Sequence, residues 1–171
     1  MNRVSYRVLG FQFFIFVVIQ IPLLYKLVLG GSAFGFFYCG FLLLLPYGLS
    51  PIVSLLLGFG VGLIIDIPSS TPGMHAAACT FIMFVRDFWL RATLGEPDED
   101  SSISLSNQRL GPFLSYLYPL ILVHHVIMFF IEHGKLQGFL MILQRAFLSS
   151  LFSFVLVLIL SFVLTSKKSR S

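Results

Sequence analysis

The chain has 171 residues, of which 57% are hydrophobic and only 11% charged, with a formal net charge of +4 and a mean hydropathy of +0.96. A soluble domain carries roughly 25% charged residues, so this composition excludes a water-soluble globule: there is too little polar surface to cover one. The excess of Lys and Arg is not a nucleic-acid signal, because these residues gather at the ends of apolar segments, where they orient spans in a membrane.

A spanning helix needs about 20 apolar residues, which leaves room for about six spans, short loops and no soluble domain. The expected fold is therefore an all-α integral membrane protein, a single transmembrane domain over residues 1–171. Twenty Phe and six Tyr suit lipid-facing and interfacial positions. Cys39 and Cys79 lie in separate apolar runs and read as small buried thiols rather than a disulfide.

Span 1 is expected at about 8–24. Arg3 and Arg7 precede it and no small-residue cleavage pattern follows it, so it reads as an uncleaved span. Gln12 and Gln20 lie inside it. Span 2, at about 33–47, is short and aromatic. Ser50-Pro51 forms an N-cap with proline at the first helical position and opens span 3, about 51–67. Thr71-Pro72 repeats that signal before span 4, about 73–90. Residues 91–112 form the long polar stretch, with an acidic run at Glu96, Asp98, Glu99 and Asp100 that reads as solvated linker. Span 5 covers about 113–131 and contains Pro119. Leu136, Phe139, Leu140 and Leu143 lie on one helical face, which predicts an interfacial helix before span 6, about 146–164. That arrangement puts Arg145 at the headgroups rather than in hydrocarbon, where it would cost ~3 kcal/mol on insertion scales.

Six spans place Arg3, Arg7, Arg86, Arg91, Arg109, Lys167, Lys168 and Arg170 on one side, against Lys26, Lys135 and Arg145 on the other. The Lys/Arg bias predicts that both termini and the 91–112 loop are cytoplasmic.

Gly58, Gly62 and Asp66 are four residues apart and so share one stripe of span 3. Glycines there let another backbone approach closely. Asp66 sits at a helix end whose carbonyls already carry partial negative charge. The nearest compensation is the set of unpaired N–H groups at the start of span 4. Either Asp66 pins this hairpin, or it holds the 67–73 turn, with Gly73, in a shape that a partner recognises, or it contacts that partner directly. His75, one turn into span 4, reads as a buried hydrogen-bonding group that could pair with Asp66. His124 and His125 are adjacent, so they point about 100° apart and cannot chelate one ion. Arg86 reads as a snorkelling cation, with Asp87 on a different face. No nucleophile with its base, P-loop or third metal ligand is evident, so no catalytic, metal or cofactor site is expected.

The layout and the segment Gly58, Gly62, Asp66, Thr71, Pro72, Gly73, His75, Ala76, ending in Phe88-Trp89-Leu90-Arg91, resemble the bacterial rod shape-determining protein MreD family. The resemblance covers about 35 residues around this segment. It implies an inner-membrane component of the cell-elongation (Rod) machinery that binds the bitopic protein MreC. Through MreC it would link MreB filaments to the polymerase RodA and its penicillin-binding transpeptidase. It also implies a fold similar to the substrate-binding subunits of energy-coupling-factor transporters, with a central groove for a partner helix. On that view Gly58, Gly62, Asp66, Gly73 and His75 shape a contact surface, and Gly62→Leu is expected to weaken partner binding while the protein still inserts. The alternative is a substrate-binding subunit of a vitamin-type transporter. Gln20, Asp66, His75 and His124 would then line its pocket.

Overall fold

The computed structural model describes residues 6–24, 26–95, 103, 108–134 and 138–168. Arg3, the acidic run at 96–100 and Lys135 lie outside the described residues. The fold is mostly helical. Helix α1 (Tyr6–Phe13) runs through a π-helical turn (Phe14–Val18) into α2 (Gln20–Leu23), and a two-residue hairpin follows, β1 (Val28–Leu29) against β2 (Ala33–Phe34). A short helix α3 (Cys39–Leu43) precedes four long ones: α4 (Pro51–Ser69), α5 (Met74–Leu94), α6 (Leu110–His133) and α7 (Phe139–Lys168).

Three of these helices, Pro51–Ser69, Leu110–His133 and Phe139–Leu164 within α7, are long and apolar enough to cross a membrane. Their sequences explain them. Ser50 caps α4 as expected, its Oγ accepting from the Val53 N–H at 3.3 Å, with Pro51 in the first turn. Pro119 sits inside α6 and has no N–H to donate to the Ser115 carbonyl one turn back. The Trp89 indole of α5 supplies that donor instead, Nε1 to Ser115 O at 3.1 Å.

Four expectations are corrected. First, residues 33–47 are not a spanning helix. Ala33–Phe34 is a strand, Gly35 and Phe36 belong to no helix or strand, and only Cys39–Leu43 is helical. Every residue from Gly35 to Leu45 is buried. Gly35 and Gly40 are there because the path is narrow. A Cβ on Gly35 would lie 2.8 Å from Leu156 Cδ1, and one on Gly40 2.8 Å from Phe16 Cε1. Second, the hairpin β1–β2 makes the chain not strictly all-α. Third, α7 is one continuous helix from Phe139, with no break before residue 146. Arg145 lies inside it, between the rings of Phe34 (5.4 Å) and Phe129 (5.0 Å) and 4.0 Å from Glu132. Fourth, Arg86 does not snorkel. Its side chain is fully buried and Nη1 meets Asp87 Oδ1 at 2.9 Å. Its Nη2 donates to the Leu45 carbonyl and, at 3.3 Å, to that of Pro46. The cation thus sits where the last carbonyls after a helix lack partners.

Candidate functional site

The α4–α5 hairpin is built by backbone contact. A Cβ on Gly62 would stand 2.3 Å from Ala76 Cα, and one on Gly58 2.9 Å from the Cys79 carbonyl oxygen. Only glycine lets the two backbones pass this closely. One turn beyond Gly62, the buried Asp66 carboxylate is turned onto the start of α5. Its Oδ1 accepts from the His75 N–H (3.0 Å) and the Thr71 hydroxyl (3.0 Å), and Oδ2 from the Ala76 N–H (2.9 Å). This satisfies two of the donors that every helix start leaves unpaired and sets a negative charge against its positive dipole end.

The expected cap at Thr71-Pro72 is thereby corrected. Helix α5 starts after Gly73, which is left-handed at φ 84° and contributes no side-chain cap. Thr71 gives its hydroxyl to Asp66 instead. Ser70 at φ 55° closes α4 in the same left-handed region. The hydrogen bonds link Asp66 to His75 through the His75 backbone, which leaves the imidazole free for another partner.

That partner is Tyr38, in the turn just before α3. Its hydroxyl lies 2.6 Å from His75 Nδ1 and 2.8 Å from His124 Nε2. A phenol has one proton, so it donates to one imidazole and accepts an N–H from the other. His124 Nδ1 is buried without a partner. A bare lone pair there costs less than an orphaned N–H. We therefore place the His124 proton on Nε2, donating to Tyr38, which in turn donates to His75. Cys79 Sγ lies 3.8 Å from His124 Nε2. Cys39 and Cys79 are both free and buried.

His125 diverges from His124 as adjacent helical residues must. Its Nδ1 donates to the Ile121 carbonyl (2.8 Å) and Nε2 accepts from the Ser153 hydroxyl (2.9 Å). Ser153 Oγ accepts the Phe36 N–H at 2.8 Å, and Ser149 Oγ the Phe34 N–H at 2.9 Å. From the other flank, Gln20 holds the same segment just past the strand. Its Oε1 accepts from Phe37 N–H (2.8 Å) and its Nε2 donates to Gly35 O (3.1 Å). At the far end the Tyr116 hydroxyl donates to Leu43 O at 2.8 Å.

A scan against protein-family models and searches of curated proteins and of solved structures return no match to this chain.

The candidate residues thus fall into two linked groups. Gly58, Gly62, Asp66 and Gly73 form the hairpin. His75 joins the hairpin to a hub that also takes in Tyr38 and His124, while Gln20 holds the strand beside it. Among the described residues, no three His, Cys, Asp or Glu side chains converge as metal ligands. Tyr38, Tyr116, Ser149 and Ser153 were not singled out from sequence. The serines carry a signal in hindsight. They are four apart in an apolar helix, so they share one face.

Proposed function

We propose that this chain is a non-catalytic scaffold of the bacterial inner membrane, acting in cell elongation as the MreD resemblance implies. In this reading it crosses the membrane six times with both termini cytoplasmic. It binds an MreC-like bitopic protein, and through that protein MreB filaments are coupled to RodA and its penicillin-binding transpeptidase. One observation carries the choice of a scaffold over a transporter subunit. Gln20, Asp66, His75 and His124, the residues that would line a vitamin pocket, are all engaged by the chain's own backbone or by Tyr38. The buried segment 35–45 runs through the centre where such a ligand would sit.

The glycine stripe packs against α5, and in this reading the partner takes another surface. A lateral apolar groove of about 480 Å³ lies between α5, α6 and α7, lined by Trp89, Leu114, Ser115, Tyr118, Pro119, Leu151 and Phe154. It suits helix-in-groove packing, since association within lipid is driven by close packing rather than by a hydrophobic difference. The deciding experiment is depletion of the gene in its own bacterium, scoring cell width and sites of new wall insertion. Widening or rounding with delocalised insertion is expected. Normal shape with a growth defect rescued by a nutrient would overturn this reading in favour of the transporter subunit.

A further inference from the structure

We propose that residues 34–45 cross the hydrocarbon layer as a short strand followed by half a helix, a crossing that needs no continuous helix. The inference rests on the chain being membrane-embedded and not on its role in cell elongation.

The segment descends alongside α6 in register. Phe34 packs on Phe129 (ring centroids 6.2 Å), Tyr38 bonds His124, and Leu43 bonds Tyr116. At 1.5 Å per residue, α6 covers about 20 Å between Phe129 and Tyr116. The segment is antiparallel to α1 and α2 as well as to α6. Gln20 holds Gly35 and Phe37, and Phe13 packs on Phe41 at 5.4 Å. Along α7 the order is parallel, Ser149 to Phe34 and Ser153 to Phe36. Along α5 it is parallel too, Tyr38 to His75 and Leu45 to Arg86. The first helical segment, the 34–45 segment, α4, α5, α6 and α7 therefore alternate in direction one after another.

The match to α7 has a simple origin. Four helical residues rise about 6 Å, and two extended residues advance about 6.6 Å. Serines spaced by four thus meet every second N–H of a strand. Non-helical backbone is tolerated at membrane depth only where protein satisfies its polar groups. Here Gln20, Ser149, Ser153, Tyr116 and Arg86 do so. An arginine marks each end: Arg145 stands over Phe34, beside Glu132, and Arg86 binds the Leu45 and Pro46 carbonyls, beside Asp87. Arginine is expensive at the bilayer centre, so the two place the ends of the segment near opposite interfaces. The β1–β2 hairpin, with Leu29 exposed, then lies on the face away from both termini, open to a partner outside the cytoplasm.

The test is sidedness of the two flanking turns in the full chain. Ser32→Cys and Ser50→Cys, each in a Cys39→Ala/Cys79→Ala background, are treated in intact and permeabilised cells with a membrane-impermeant maleimide. Labelling of position 32 in intact cells, and of position 50 only after permeabilisation, is expected. Equal labelling of both in intact cells, or of neither, would make the segment re-entrant and overturn the proposal. An epitope inserted between Gly30 and Gly31, or between Gly48 and Leu49, reads the same sidedness should the cysteine variants be degraded. The strand is tested separately with Ser149→Ala/Ser153→Ala, which is expected to lower Tm in detergent by several degrees. An unchanged Tm would mean that these N–H groups have other partners, as in a helix, and would overturn that half. Neither readout involves cell shape.

Discussion

The α4–α5 hairpin and the 33–47 segment are both apolar and are joined through His75 to Tyr38 and through Arg86 to the Leu45 and Pro46 carbonyls, yet they solve the backbone problem differently. In the hairpin each helix satisfies its own N–H and C=O groups, and side chains intervene at helix starts, where Ser50 caps α4 and Asp66 takes the first N–H groups of α5. In 33–47 the backbone depends on side chains from four other elements. An apolar run therefore does not by itself fix conformation. A helix is obligatory only where no neighbour offers polar groups.

The hairpin should fail most completely when its backbone contact is blocked. Gly62→Leu drives a side chain into the Ala76 backbone, and overpacking of this kind typically costs about 1–3 kcal/mol and sometimes more. Loss of monodisperse protein after solubilisation is expected, rather than selective loss of a partner. Gly60→Leu, on the opposite face with nothing within 4 Å, should behave as wild type. Equal behaviour of the two would show that the helices do not touch there.

Arg86→Leu attacks the other region. It leaves the Leu45 and Pro46 carbonyls and the Asp87 carboxylate without their donor. Hydrogen bonds to charged groups are worth about 1.5–3 kcal/mol each, so a drop in Tm comparable to that of the most damaging hairpin variants is expected. Added guanidinium at low millimolar concentration should restore part of it. No change in Tm on substitution would remove Arg86 from its place at the end of α3.

Asp66→Ala removes acceptors from the His75 and Ala76 N–H groups, a loss of about 2–3 kcal/mol by the same scale. Asp66→Asn keeps an acceptor oxygen and should lose less. Tyr38→Phe is the smallest change, and it removes one of the two links between the regions while the Arg86 link stays. It strands His75 Nδ1 and His124 Nε2, and leaving buried polar groups unpaired costs about 1–3 kcal/mol. Hydrogen exchange should then rise at Phe36 and Phe37 more than in α4. A uniform rise would mean that the two regions unfold as one unit.

Particular residues show how far the sequence could be read. Ser50-Pro51 marked the start of α4, and the four-residue spacing of Gly58, Gly62 and Asp66 placed them on one face. The N–H groups at the start of α5 were the right partners for Asp66. These are local relations within one hairpin, where spacing alone decides which atoms meet. The cap at Thr71 misread the same turn, because helix α5 starts after Gly73 and its first N–H groups go to the Asp66 carboxylate rather than to the Thr71 hydroxyl. Arg86 misled for the opposite reason. Snorkelling is the default when no acceptor is known, and its acceptors, the Leu45 and Pro46 carbonyls, lie some forty residues earlier in the chain.

Composition by itself called for long apolar helices, three of which are long and apolar enough to cross a membrane, and local spacing determined the α4–α5 hairpin. The tertiary structure alone decided the path of residues 33–47 and the identity of the hub. Gln20, Tyr116, Ser149 and Ser153 reach that backbone from far along the chain, and Tyr38 becomes a junction only once α5 and α6 flank it. Hydropathy records how much surface leaves water. Which buried carbonyl meets which buried donor is a property of the assembled bundle.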